Sequence, residues 1–303
     1  MRKQTKKSGI KPTTKKTQEK LQTRQLEQQQ SDEIIPASTQ LNVADGIVVI
    51  SGDWHCYYSE WRQKPPTAYK ALLKFLSGNL GELNHDIKAN IVNGDFLNAA
   101  QIHRHPPITF ENHGGSFAQE MELTQAMMGN VEDICVKHKI QRRATIGNHD
   151  IRVMANLAAK VPEWAGMPNT TLFEYFPTWN LSWSVTINSN ILVKHRWGGG
   201  QHAPAGNAIK SGLNCITGHL HRQNVFMVRD ATGIRFGVDH GCVANIHSAA
   251  FSNYTESTAA HTWISGFCVL TILKDQSLLT PELVRVVDEE KGLVNFRGKI
   301  FQV

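Results

Sequence analysis

The chain lacks long apolar runs and has few cysteines. None of its 303 residues lies in an apolar stretch approaching the roughly 20 residues that cross a bilayer, and its first residues lack the apolar core of a secretory signal peptide. The five cysteines are widely spaced and include no Cys-x-x-Cys pair. This number and spacing are typical of a reducing compartment and argue against a disulfide framework. We therefore expect a cytoplasmic protein without a membrane partner.

The first 40 residues contain little that could build a core, since they have no aromatic residue and only scattered leucine and isoleucine. They carry nine Lys or Arg against four Asp or Glu, a net charge of +5 out of +6 for the whole chain. Because such a segment cannot offset its ordering entropy, we predict a disordered basic tail over 1–40 and one folded domain over 41–303. The tail suits salt-dependent contacts with nucleic acid, and the alternative is a solubilising extension that binds nothing specific.

Apolar periodicity after the tail predicts alternating strands and helices. We expect strands over 46–51, 89–92 and 143–146, with helices over 67–80 and 116–138 between them. This alternation indicates an α/β fold with a parallel sheet and right-handed crossovers. From residue 181 short strands follow, and we expect them to form a second, mixed or largely antiparallel sheet packed on the first. They are predicted over 181–187, 191–195, 213–217, 225–229, 234–238, 263–273 and 282–287.

Acidic, amide and imidazole side chains stand just past the apolar segments. The set is Asp53, His55, Asp95, Asn148, His149, His195, His219 and His221. Open α/β sheets bind ligands at the carboxyl ends of their strands, so we expect these side chains to meet at one edge. Carboxylates and imidazoles without thiolates suit divalent manganese, iron or zinc. The set is large enough for two cations roughly 3.5 to 4 Å apart, which would activate a bridging water and hold phosphoryl oxygens.

In their order, these segments resemble the blocks of the calcineurin-like metallophosphoesterase superfamily. The blocks are Asp-x-His, Gly-Asp, Gly-Asn-His-Asp, His and Gly-His-x-His, and the resemblance covers about residues 46–247. It implies a four-layer α-β-β-α sandwich in which helices flank two mixed sheets. It also implies a hydrolase of phosphate esters that uses two divalent metal ions, with manganese expected and iron or zinc as alternatives.

The resemblance also implies a role for each residue of the set. One metal would be held by Asp53, His55 and His221. The other would be held by Asn148, His195 and His219, with Asp95 bridging the two. A hydroxide bridging the metals would attack phosphorus directly, without a covalent enzyme intermediate.

His149 and three residues outside the set have roles of other kinds. His149 corresponds to the family's unligated histidine, expected to contact the phosphate and to protonate the leaving oxygen as general acid. His202 follows His195 by seven residues in a glycine-rich loop and is an alternative ligand for the second metal. His103 and Arg104 lie on the loop after Asp95 and are candidates for contacting the substrate phosphate.

Two departures from the family pattern bear on the substrate. Asn98 stands where family protein phosphatases have the second Asp of Gly-Asp-x-Val-Asp-Arg-Gly, and Asp150 replaces a terminal Glu. These departures argue against a Ser/Thr protein phosphatase and favour the phosphodiesterase and nuclease branches, including small phage-borne phosphoesterases. A phosphomonoesterase and a catalytically inactive binding or scaffold protein of the same fold are the alternatives. The residues name neither the phosphate ester nor the oligomeric state.

The basic tail leads to a first prediction. Deleting residues 1–40 is expected to weaken binding to DNA or RNA and to flatten its salt dependence, because Lys and Arg side chains release counterions from the phosphate backbone. Hydrolysis of a small phosphate ester should stay unchanged. Fluorescence anisotropy of a labelled oligonucleotide at several salt concentrations measures the effect. Equal affinity before and after truncation would remove the tail from any role in nucleic-acid binding.

Overall fold

The computed structural model describes residues 34–81, 83–102, 115–248 and 258–303. The chain divides after Ile35, and every element below belongs to the unit from Pro36 to Val303. Most of the predicted tail, and the predicted contacts of His103 and Arg104, lie outside the described residues. The first strand begins at Thr39, ahead of the predicted boundary at residue 41, because it pairs with a strand of the domain. Deleting residues 1–40, as in the first prediction, would remove most of this strand, so the truncation that tests the tail and spares the fold ends at Ile35.

Strands and helices alternate through the first half of the domain. In chain order they are β1 (Thr39–Leu41), β2 (Gly46–Ser51), α1 (Tyr58–Trp61), α2 (Thr67–Leu76), β3 (Ile87–Asn93), α3 (Phe117–His138), β4 (Gln141–Thr145), α4 (Arg152–Lys160), a 3-10 turn (Pro162–Trp164) and α5 (Leu172–Tyr175). The predicted strand over 46–51 is confirmed. Helix α2 ends four residues before its predicted end, where Gly78 takes a left-handed φ of 73°.

Short strands dominate the second half. They are β5 (Leu181–Ser182), β6 (Ser184–Ile187), β7 (Ile191–Lys194), β8 (Asn214–Thr217), β9 (Gln223–Asp230), β10 (Gly233–His240), β11 (Gly266–Ile272), β12 (Glu282–Asp288), β13 (Leu293–Phe296) and β14 (Lys299–Gln302). Helix α6 (Ala203–Ser211) lies between β7 and β8, and a 3-10 helix (Thr258–Thr262) precedes β11. Strands β1, β13 and β14 were not predicted, because each is short and without a clear alternating pattern.

The strands form two mixed sheets. The first sheet has the order β14-β13-β12-β11-β2-β3-β4-β5, with β2 to β5 parallel and β11 to β14 antiparallel. The second sheet has the order β1-β6-β7-β8-β10-β9. The expectation that all strands after residue 181 form the second sheet was wrong, since β5 and β11 to β14 extend the first. Every residue of β11 is buried, which suits a central position between β2 and β12.

Helices cover the outer faces and apolar side chains fill the space between the sheets. Val48, Ile50 and Ile91 from the first sheet meet Val193 and Ile216 from the second. Helices α2 and α3 contact the first sheet, while α6 packs on β8, β9 and β10 of the second. The predicted fold class, an α-β-β-α sandwich of two mixed sheets flanked by helices, is therefore confirmed. Among the helices in the described ranges, none is both long and apolar enough to cross a membrane.

The first turn of α2 takes its cap from the far end of the chain. Pro66 precedes the helix and its side chain makes no capping hydrogen bond. Instead the Thr67 backbone N–H donates to Glu289 Oε1 (2.8 Å), and Thr67 Oγ1 donates to the Glu289 carbonyl oxygen (3.0 Å). The two residues are 222 positions apart, so this pair joins the end of β12 to the beginning of α2.

Removing this cap gives a second prediction. Glu289→Ala leaves the buried Thr67 N–H without its acceptor, and we expect the free energy of unfolding to fall by about 1 to 2 kcal/mol. Urea denaturation measures the change. The neighbouring Glu290→Ala is the control, because its side chain is 86% exposed and pairs with Lys64 (3.1 Å) at the surface. Equal losses in the two variants would contradict the capping role.

Candidate metal centre

Five strand ends converge on one edge of the sandwich. Asp53 and His55 follow β2, Asp95 follows β3, and Asn148 and His149 follow β4. In the second sheet the ends of the parallel strands β7 and β8 lead to the other three residues, His195, His219 and His221. The loops after β2 and β3 are tied together, since the N–H groups of Asp53 and His55 donate to the carbonyl oxygens of Gly94 and Asp95, each at 2.9 Å.

Left-handed backbone geometry is concentrated at this edge. The φ angles are 51° for Asp53, 44° for His55, 49° for Asp95, 71° for His219 and 58° for His221. This region is unfavourable for residues with a Cβ, and such strain persists only where the surroundings determine the conformation. Its concentration at these five positions indicates a functional site.

The first group of side chains is Asp53, His55 and His221. Asp53 Oδ1 lies 3.1 Å from His221 Nε2 and 3.8 Å from His55 Nε2. The two Nε2 atoms are themselves 3.3 Å apart. All three residues are buried, and their ligand atoms lie within 4.8 Å of one another. One carboxylate and two imidazole nitrogens facing a common point are a donor set for a divalent cation.

A second group consists of Asp95, His195 and His219, whose ligand atoms also lie within 4.8 Å of one another. Asp95 Oδ2 is 3.1 Å from His195 Nε2 and 4.0 Å from His55 Nε2, so this carboxylate stands between the two groups. The geometry suits a bridging ligand. His202, the alternative to His195, contacts the ring of Phe226 at 6.0 Å between centroids and belongs to none of the clusters found among the described residues.

Asn148 contributes an amide oxygen with no donor. Its Oδ1 is buried and accepts no hydrogen bond within the described part of the chain. Buried acceptors are nearly always satisfied, and an amide oxygen is a normal ligand for a hard cation. The N–H of the next residue, His149, donates to Asp95 Oδ1 (2.7 Å), so the backbone that carries Asn148 runs next to a member of the second group. The residues present therefore fit two divalent cations, one at each group.

Hydrogen bonds behind the groups orient the ligand atoms. His195 Nδ1–H donates to the Asn93 carbonyl oxygen (2.7 Å), so its Nε2 faces Asp95. The Asp150 carboxylate accepts from the N–H groups of Asp95 (2.7 Å), Leu97 (3.0 Å) and Gly147 (2.8 Å). Asp150 thus joins the loop after β3 to the loop after β4. Burial, together with the charge of Asp95, raises the pKa of Asp150 to about 7.

Charges within the site shift the pKa values of its members. Burial would raise the pKa of Asp95, but the imidazoles of His195 and His149 hold it well below its usual range. Asp53 is likewise held low against its burial, by His221 and His195. Burial lowers the pKa of His195, yet Asp95 and Asp53 outweigh it and raise the value to about 10. Burial lowers the pKa of His219 to about 4, which keeps its imidazole neutral as a metal ligand must be.

His149, the predicted general acid, stands edge-on to His55 with ring centroids 4.6 Å apart. Its Nδ1 lies 2.7 Å from the Asn98 carbonyl oxygen, which can only accept, and its Nε2 lies 3.0 Å from Arg152 Nη2, which can only donate. The imidazole is therefore neutral with the proton on Nδ1. Burial lowers its pKa to about 3. In this state His149 presents a lone pair, not a proton, at Nε2.

Two glycines let the backbone approach the ligands closely. A Cβ on Gly94 would lie 2.6 Å from the His195 ring, and one on Gly218 would lie 2.6 Å from Asp53 Oδ2. Gly94 also has a left-handed φ of 70°. Glycine is therefore required in the Gly-Asp and Gly-His-x-His segments by close packing around the carboxylates.

Several residues of the site were not predicted. Asn98 Oδ1 lies 3.3 Å from His55 Nδ1, and its carbonyl oxygen orients His149. His240 lies buried behind the site, with Nε2 3.1 Å from Asn93 Nδ2. Arg152 follows His149 by three residues, a spacing that places both on one side of a helical turn, and this was the available signal. Glu120 gave none, because a single acid in the first turn of a helix is common without any further role.

Comparison with known proteins gives limited information. No family model matches the chain, and no curated protein does. Among solved structures, wild-type Vps29 complexed with Zn²⁺ from Entamoeba histolytica is 15% identical, with 85% of this chain and 98% of that chain covered and a TM-score of 0.42. A protein serine/threonine phosphatase from Saccharomyces cerevisiae with similarity to human PP5 is 14% identical, with 94% and 90% covered and a TM-score of 0.38. TM-scores this low assign no activity to the chain.

Glu120 on α3 supports the loop that carries Asn98. Its Oε1 accepts from the N–H groups of Asn98 (2.9 Å) and Ala99 (2.6 Å), and its side chain is buried. Burial raises the pKa of Glu120 from 4.5 to about 7. Between these two values the folded protein keeps a proton that the unfolded chain loses. The contribution of Glu120 to stability is therefore most favourable below pH 4.5 and is lost as the pH rises through about 7.

The third prediction concerns this pH dependence. Glu120→Gln keeps the Oε1 acceptor but removes the titration. As the pH rises from about 5 to about 8, the free energy of unfolding of the variant should therefore increase relative to that of the wild type, by up to about 3 kcal/mol. Urea unfolding of both proteins at each pH gives the difference, and other titrating groups cancel in it. A difference that does not change with pH would show that Glu120 is ionised throughout.

Proposed function

We propose that this protein is a metallophosphoesterase of the calcineurin-like superfamily that hydrolyses a phosphodiester at a centre of two divalent cations. One observation carries the proposal. Strand ends that are up to 168 residues apart in sequence bring two clusters together, Asp53–His55–His221 and Asp95–His195–His219, and of their members only His219 is not fully buried. These are the groupings that the resemblance implies for the two metals. The donor-less amide oxygen of Asn148 is further support.

The residues of the site have different roles in this proposal. Asp53 and Asp95 would supply the negative charge that holds divalent cations. The histidines would supply nitrogen ligands, with a bound cation taking the place of the proton that Asp95 and Asp53 otherwise keep on His195. When bound, two such cations would supply Lewis acidity to the phosphoryl oxygens and a water acidic enough to attack at neutral pH. His149 stands beside both clusters, where it would contact the phosphate ester. Manganese is the proposed metal, with iron or zinc as alternatives.

A phosphodiester is the proposed substrate class because of two side chains. Asn98 stands where family protein phosphatases have an aspartate, and it contacts both His55 and His149. Asp150 serves as a backbone acceptor and not as a ligand. Nucleic acid is the proposed source of the diester, supported by the net charge of +5 in residues 1–40. A phosphomonoesterase and an inactive scaffold are the alternatives.

Metal content and hydrolysis together give the fourth prediction. After treatment with a chelator, the wild type should take up two Mn²⁺ per chain in a calorimetric titration and hydrolyse bis-p-nitrophenyl phosphate. Asp95→Ala should lose both properties, because a bridging carboxylate serves both cations. His149→Ala should keep the metals and lose activity. A loss of about 100-fold or more would require His149 to take up a proton at Nε2 and act as general acid, whereas a loss of about 10-fold would leave it a contact with the ester. His138→Ala is the matched control, since this exposed histidine ends α3, and it should behave as the wild type.

The outcomes separate the alternatives. Faster hydrolysis of p-nitrophenyl phosphate than of the diester would favour a phosphomonoesterase. Two bound metals with no hydrolysis of either ester would favour the scaffold. A wild type that takes up no divalent cation would overturn the proposal.

A further inference from the structure

Arg152 holds its guanidinium against His149 at the margin of the metal clusters. It is the first residue of α4 and is half-buried. Nη2 donates to His149 Nε2 (3.0 Å), while Nη1 donates to the carbonyl oxygens of Asn98 (3.3 Å) and Ala99 (3.4 Å). The imidazole in turn stands edge-on to His55, a residue of the first cluster. A permanent positive charge therefore lies one side chain away from the candidate metal ligands.

The acceptors in these three contacts are neutral, and two of the contacts are long for N–H···O bonds. A guanidinium pairs more strongly with a phosphate, through charge-assisted and commonly bidentate hydrogen bonds, than with a neutral carbonyl or imidazole. A phosphate ester that entered beside His149 would compete for the same N–H groups. The guanidinium would then exchange a neutral acceptor for an anionic one with little movement of the backbone.

The position of Arg152 also bears on His149. The Nε2 atom of His149 is the one that would face a substrate, because Nδ1 donates to the Asn98 carbonyl oxygen. Arg152 donates to that same Nε2. A phosphate oxygen and His149 Nε2 are both acceptors, so they would compete for the same Nη2–H group of Arg152.

We propose that Arg152 is a substrate-binding residue. Its guanidinium binds a non-bridging oxygen of the phosphate ester, which replaces His149 Nε2 as the acceptor of the Nη2–H group. The inference rests on the proposed function, because it assumes a phosphate ester at this edge. It assigns to the site a cationic ligand for the phosphate that is independent of the metals.

The test uses full-length protein loaded with Mn²⁺ and compares Arg152→Ala, Arg152→Lys and Arg142→Ala. Arg142 is the matched control, since it is also partly buried (19% exposed) and bonded, to Glu132 at 3.2 Å, but it lies on β4 away from the site. Metal content and thermal unfolding are recorded for every variant. Steady-state hydrolysis of bis-p-nitrophenyl phosphate then gives kcat and KM, and competition gives the inhibition constant of inorganic phosphate.

For Arg152→Ala we expect KM and the phosphate inhibition constant to rise together by about 10-fold to 100-fold, the loss of one charge-assisted hydrogen bond, with two metals retained. Arg152→Lys should recover part of the loss, because it keeps the charge without the planar fork. Added guanidinium ion should restore binding to Arg152→Ala, an effect that a structural role would not produce. Arg142→Ala should match the wild type.

Two results would overturn the inference. One is an unchanged KM and phosphate inhibition constant in Arg152→Ala. The other is a loss of activity that follows a loss of metal or of thermal stability and that neither lysine nor guanidinium ion restores. If the wild type binds Mn²⁺ but hydrolyses no ester, the proposed function fails by itself. Calorimetric titration of wild type and Arg152→Ala with inorganic phosphate then decides the inference separately: equal affinities would overturn it, and weaker binding to the variant would support it.

Discussion

The structure depends on two carboxylates that are kept ionised without access to water. Asp53 and Asp95 are at most 1% exposed, and removing a charge from water is unfavourable by several kcal/mol unless a partner replaces the solvent. The partners are the imidazoles of His55, His195 and His221, which come from three different strand ends. Since no local segment could supply this set, the charges are tolerated only when both sheets are in place. The candidate metal centre therefore forms only when the sandwich as a whole has folded.

The surrounding backbone is organised to maintain that charge cluster. Asp150 binds three amide N–H groups from the loops after β3 and β4, and the loops after β2 and β3 bind one another directly. Five of the candidate ligands hold left-handed conformations that they would not adopt alone. Such rigidity would suit the proposed function, because ligands held in position before a cation arrives lose little freedom when they bind it. Gly94 and Gly218 tolerate no side chain, because a Cβ at either position would collide with one of these side chains.

The fold class and the membership of the site could be predicted from sequence because both depend on local patterns. An apolar run that ends in Asp-x-His or Gly-Asp shows both where a strand lies and where it ends. The acids and histidines that follow these runs do lie together in the structure. Their roles as ligands stay predictions. Strand β11 could not be placed, because its fully apolar sequence suits either sheet and only the pairing with β2 decides. Glu120 was missed for a different reason: its role depends on contacts with the Asn98 and Ala99 N–H groups, and no periodicity reports such contacts. The spacing of Arg152 from His149 was a signal, but by itself it named no ligand.

The position of β2 has a consequence for how the protein comes into existence. This strand carries Asp53 and His55, yet its neighbour β11 spans residues 266 to 272, more than two hundred residues later. During synthesis, one edge of β2 therefore stays unpaired until β11 has left the ribosome, when nearly the whole chain has been made. Until then the apolar residues Val48 and Ile50 lack their neighbours in β11. A growing polypeptide of this kind offers an unpaired strand to other chains or to chaperones. Synthesis is therefore the stage at which the protein is most exposed to aggregation, and the sheet that carries Asp53 and His55 at its edge is completed late.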